Sequence, residues 1–135
     1  MNTLQIIAVF CLVLVTISEA EITDKEKAYV HRYFVECEAS LNMSLGVNIE
    51  NRMEHGEQVV GDAQFKKFIF CFMTRTGFVK PDGSFNKQAF IDVLKDGYDP
   101  AATDSMVDKC YNYTIKSVEE RIYQQYKCMF ANHFY

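Results

Sequence analysis

Basic residues are scarce and unclustered in this chain, with 14 Lys and Arg against 18 Asp and Glu and a formal net charge of -4. No basic stripe exists to neutralise phosphates, which argues against nucleic acid as a partner. Nor is there an apolar run long enough to cross a bilayer. The longest, Leu4 to Ile17, is about fourteen residues where roughly twenty are needed, so stable membrane insertion is not expected. No close cysteine pair such as C-x-x-C offers a zinc knuckle. G-x-S-x-G and H-E-x-x-H are both missing, and His31, His55 and His133 are scattered, so nothing points to an enzyme, a metal or another cofactor. The Asp82-Gly83-Ser84-Phe85-Asn86 turn has the look of a calcium loop, but Val93 stands where the twelfth-position Glu belongs.

The amino-terminal apolar run ends in small residues at Ser18 and Ala20, and the chain then switches to the charged EITDKEKAYV. That pattern predicts a signal peptide over residues 1–20 and a secreted, extracellular domain over 21–135 with a net charge of -3. Cys11 leaves with the signal peptide, and Cys37, Cys71, Cys110 and Cys128 remain. An even number in a secreted chain argues for two disulfides, with three pairings open on counting alone.

Aromatic content is high, β-branched alternation is scarce, and apolar residues recur at helical spacing, so the fold class is all-α with about six short helices. Thr23 and Glu26 form a capping box for a helix over about 24–40, with Val30, Tyr33, Phe34, Cys37 and Leu41 in one stripe. Gly46, Gly56 and Gly61 leave room for only a short helix around Val47, Ile49 and Met53. A core helix from Asp62 carries Phe65, Phe68, Ile69, Phe72 and Met73 and ends at Gly77. After a turn at 80–84, a fourth helix spans about 86–96, and Asp99 with Pro100 opens a fifth bearing Met106, Val107 and Cys110. Ser117 and Glu120 form a second capping box for a last helix to about Asn132.

Cys110 and Cys128 are eighteen residues apart with Glu119 midway, and Lys67 lies four residues before Cys71. These spacings resemble the insect odorant-binding proteins, whose pattern is a first cysteine, a long gap, C-x3-C, another long gap and C-x8-C-x8-C. Lys67 and Glu119 would stand for the second and fifth cysteines, as in the four-cysteine "minus-C" type. Gly77-Phe78-Val79, the Pro81 to Phe85 turn and Gln125-Tyr126-Lys127-Cys128 also match. The resemblance implies Cys37–Cys71 and Cys110–Cys128 bridges, a bundle around an apolar cavity, and a carrier of odorants, pheromones or similar lipophilic molecules. It raises the hypothesis that Lys67 and Glu119 pair in place of the absent bridge.

A carrier needs a dry, apolar cavity. The inward faces nominate Phe34, Phe68, Phe72, Met73, Phe90, Leu94, Met106, Ile122, Tyr126, Met129 and Phe130 as ligand-binding residues, though inward direction does not separate packed core from cavity wall. His55 and His133 are candidates for pH-dependent release, since histidine charges between about pH 5 and 8. Asn42 and Asn112 head glycosylation sequons. Expected partners are a small apolar ligand and, by the resemblance, a membrane receptor, with the chain a monomer or weak homodimer. The competing readings are a saposin-like lipid- or membrane-interacting protein and a non-olfactory glandular component with a filled core.

Overall fold

A computed structural model of the protein describes residues 22–54, 61 and 63–131. The expected signal peptide, His55, the end of the last helix at Asn132, His133 and the rest of the tail lie outside them. Six helices follow one another: α1 Asp24–Ser40, α2 Val47–Glu54, α3 Ala63–Arg75, α4 Lys87–Leu94, α5 Pro100–Cys110 and α6 Val118–Ala131.

Their ends are set by local chemistry. Thr23 Oγ1 accepts from the Glu26 N–H at 3.3 Å, and Glu26 Oε2 accepts from the Thr23 N–H at 2.6 Å, so the capping box at α1 is complete. At the other end of α1, Asn42 takes φ 49°. Its N–H reaches the Ala39 carbonyl while the Met43 N–H reaches that of Glu38, the paired bonds of a Schellman motif. Gly77, at φ 79°, turns the chain after α3 as its position in the sequence predicts. Asn86 caps α4, and Asp99 caps α5 ahead of Pro100.

The second capping box is only half formed. Ser117 Oγ accepts from the Glu120 N–H at 3.3 Å, but the Glu120 carboxylate turns away to Lys66 on α3, 2.5 Å, and to Gln124, 2.6 Å. A cationic donor on the neighbouring helix outcompetes a neutral backbone N–H, because charge-assisted bonds are the stronger.

Helix α3 is central, packing against α6 and α1; α5 lies on α6 and α4, and α2 on α1. Phe65, Phe68 and Phe72 stack along α3 with ring centroids 6.1 and 6.2 Å apart, and Phe34 of α1 meets Phe68 edge-on at 4.8 Å. Two disulfides close the bundle. Cys37–Cys71 joins α1 to α3 and Cys110–Cys128 joins α5 to α6, the pairing the family resemblance implies. The turn after α3 is held from α6: Arg121 donates through Nη2 to the Gly83 carbonyl, 3.2 Å, and through Nη1 to that of Ile115, 3.0 Å. Gly83 itself has φ 85°, and a methyl group there would lie 2.9 Å from Val118 Cγ1.

Candidate functional site

The first turns of α1 lie beside the C-terminal ends of α3 and α6, tied by a hydrogen bond from the Tyr29 hydroxyl to the Thr76 carbonyl, 2.8 Å. Between these ends and α4 the side chains do not fill the space. They leave a cavity of about 80 Å³, lined by Glu26, Tyr29 and Val30 of α1, Phe72 and Met73 of α3, Phe90, Val93 and Leu94 of α4, and Tyr126 and Met129 of α6. Ile22, Met53, Phe78 and Tyr98 complete the wall. Phe78 is itself braced edge-on by Phe90 at 4.9 Å and stacked on Tyr29 at 6.1 Å.

Of the residues nominated from the sequence, Phe72, Met73, Phe90, Leu94, Tyr126 and Met129 come together around this cavity. Phe34, Phe68 and Ile122 are buried in the packed core and form no part of the wall. Met106 is buried on α5, which contributes nothing to the wall. The side chain of Phe130 lies outside the described residues. Eight wall residues were not nominated: Tyr29, Val30 and Val93 lie within helices, and Ile22, Glu26, Met53, Phe78 and Tyr98 come from the capping box, the short α2 and the connections. The last five have no 3.6-residue repeat to betray which way they face.

The electrostatics of the wall are sparse. Burial, with a smaller contribution from neighbouring Tyr33, pushes the Tyr29 phenol up to about 12 and keeps it a neutral donor to Thr76. Glu26 is 1% exposed. Beyond the cavity, His31 Nδ1 and Glu50 Oε1 are hydrogen-bonded, which fastens α2, and with it Met53, to α1. His31 is otherwise exposed, as its place off the apolar stripe predicts.

Lys67 and Glu119 do not pair; Lys67 points to solvent. The link between these helices is one residue away on each, Lys66 Nζ to Glu120 Oε2 at 2.5 Å. That hydrogen bond raises the Lys66 ammonium above its ordinary range, while Gln124 first and Lys66 second hold the Glu120 carboxyl below its own. Both sequon asparagines are exposed, and Asn112 Oδ1 accepts from the Thr114 N–H and hydroxyl. Among the described residues no group of three His, Cys, Asp or Glu side chains converges as a metal site would require. None of their helices is long and apolar enough to cross a membrane.

Six short helices, two disulfides and an apolar cavity between helix ends define an all-α protein of the kind that encloses a small guest. Residues 19–132 match the PBP/GOBP family, and the chain belongs to that family, the insect odorant-binding proteins. Members of the family are binding proteins for small apolar ligands. No curated protein matches the chain.

Proposed function

We propose that this protein is a secreted carrier that holds one small apolar molecule, an odorant, pheromone or similar lipophile, in the cavity between α1, α3, α4 and α6. The apolar cavity with its aromatic and methionine wall carries this reading. Residues 1–20 serve as the export signal and residues 21–135 as the carrier. No step of chemistry is required of it: burial at roughly 25 cal/mol per Å² of apolar surface supports micromolar binding of a small molecule. Phe72, Met73, Phe90, Leu94, Tyr126 and Met129 form the wall proposed to touch the guest, while Phe34, Phe68, Met106 and Ile122 hold the scaffold behind it.

At about 80 Å³ the cavity is roughly half the 150 Å³ or so that accepts benzene in an engineered protein core, so a longer guest has to push the wall outward. Met53, Met73 and Met129 suit that demand, because an unbranched thioether repacks more readily than a branched or aromatic side chain. A saposin-like role is less well supported. It calls for a continuous apolar surface, and among the described residues the large exposed apolar side chains, Val35, Val47 and Tyr113, lie on three separate segments.

Displacement of a fluorescent apolar probe by a panel of volatiles and fatty acids tests the carrier reading directly. Several members should displace it at micromolar concentration, with no association with lipid vesicles. Failure of the whole panel, or strong vesicle binding, overturns it.

A further inference from the structure

The cavity wall contains one polar side chain whose hydrogen bonding is half complete. Glu26 is 1% exposed and forms part of the wall. Its Oε2 is occupied by the Thr23 N–H at 2.6 Å, but its Oε1 is buried with no donor from any described residue. Three other buried polar atoms without a partner belong to Arg121 and Gln125, neither of which lines the cavity. The Tyr29 hydroxyl, on a neighbouring part of the wall, is already committed to the Thr76 carbonyl. A buried acceptor left unpaired forfeits the bonds it makes in water, so a guest that brings a donor to it is favoured twice, by burial and by satisfying the oxygen.

The capping box is what holds this oxygen in place. At the third helical position the side chain must reach back to the N-cap N–H, which fixes Oε2, while Oε1 is buried without a partner. We propose that Glu26 is the polar anchor of the cavity, and that the preferred guest is an apolar chain ending in a hydrogen-bond donor, a hydroxyl or an amine, which donates to Oε1. This rests on the carrier reading above and deepens it. An ether, ester or carbonyl compound of the same shape offers only lone pairs and leaves Oε1 unsatisfied, so the site discriminates against it. Discrimination of this kind is stronger than any based on a methylene more or less.

Probe displacement by 1-hexanol, hexylamine and 1-methoxypentane, matched in heavy-atom number, tests the proposal. The alcohol or the amine should bind at least about tenfold more tightly than the ether, the effect of one hydrogen bond to a buried, otherwise unpaired acceptor. The tighter of the two identifies the donor class. Glu26→Gln sharpens the test, since Gln also closes a capping box. Its amide oxygen must face the Thr23 N–H, so its NH2 group replaces Oε1 in the wall and turns an acceptor into a donor. The ether should then gain affinity, and the donor preference should shrink to within about twofold. Equal binding of all three compounds by the wild type overturns the proposal and leaves the carrier reading standing, as does a preference unchanged in Glu26→Gln. Failure of all three to displace the probe overturns both. The wild-type comparison needs no variant, and a far-ultraviolet circular dichroism melt checks that Glu26→Gln is folded.

Discussion

Tyr29 shows how one residue couples the wall of the cavity to the stability of the bundle. Its ring lines the cavity, while its hydroxyl spans from α1 to the carbonyl of Thr76 just past the end of α3. Removing the hydroxyl in Tyr29→Phe leaves that carbonyl without its donor and should cost about 1 kcal/mol, measured by urea denaturation. A pH signature should accompany it. The folded-state phenol is raised to about 12 from 10.0, so folding favours the protonated form. The associated stability is fully present below pH 10 and is lost as pH rises from 10 towards 12, where the unfolded chain ionises first. The midpoint of wild type should therefore fall more steeply than that of Tyr29→Phe across that interval. Glu26 teaches a related lesson: the sequence marks it as a capping residue, and only its neighbours make it part of the cavity wall.

At the level of whole elements, α3 and α6 form the contact that the family's further disulfide would tie. Here an ion pair between Lys66 and Glu120 spans it. Glu120 is held below the ordinary carboxylate range, so its contribution is present at neutral pH and is lost as pH falls through that lowered value. Lys66 is raised, so its contribution survives until pH climbs past the ordinary lysine range. A double-mutant cycle of Lys66→Ala and Glu120→Ala should show favourable coupling at pH 7 that vanishes in strong acid or high salt, while Lys67→Ala leaves the melting temperature unchanged. The pair was missed by one residue on each helix because the cysteine register marks backbone positions. A long Lys and a long Glu reach each other from neighbouring positions on the facing surfaces, where two thiols would have to sit directly opposite. The same diversion of Glu120 undid the second capping box.

For the molecule as a whole, the two bridges close loops of sequence separation 34 and 18. The loop-entropy model assigns about 3–4 kcal/mol to each, a large share of the roughly 5–15 kcal/mol of net stability that a folded domain has. Full reduction should therefore abolish cooperative thermal unfolding near ambient temperature. Replacing Cys37 and Cys71 by Ala should cost about 0.5 kcal/mol more than replacing Cys110 and Cys128, since the first loop is the longer. Chemical denaturation of the two double variants measures the difference.

The sequence by itself determined the all-α class, the order of the helices and most of their ends, because capping, glycine conformation and 3.6-residue periodicity act over a few neighbouring residues. Thr23 with Glu26, Asp99 with Pro100, and Gly77 all do in the structure what their local chemistry dictates. Cysteine spacing carried the family and, through it, the disulfide pairing. Which half of each apolar stripe becomes solid core and which becomes cavity wall was decided only by tertiary packing. Phe68 and Phe72 are one helical turn apart on the same face, yet only Phe72 reaches the cavity. The difference lies in the neighbours: Phe34 of α1 meets Phe68 edge-on, while Glu26 and Tyr29 at the start of α1 leave the space beside Phe72 open. A void is a relation between several helices at once, and no single stretch of sequence contains it.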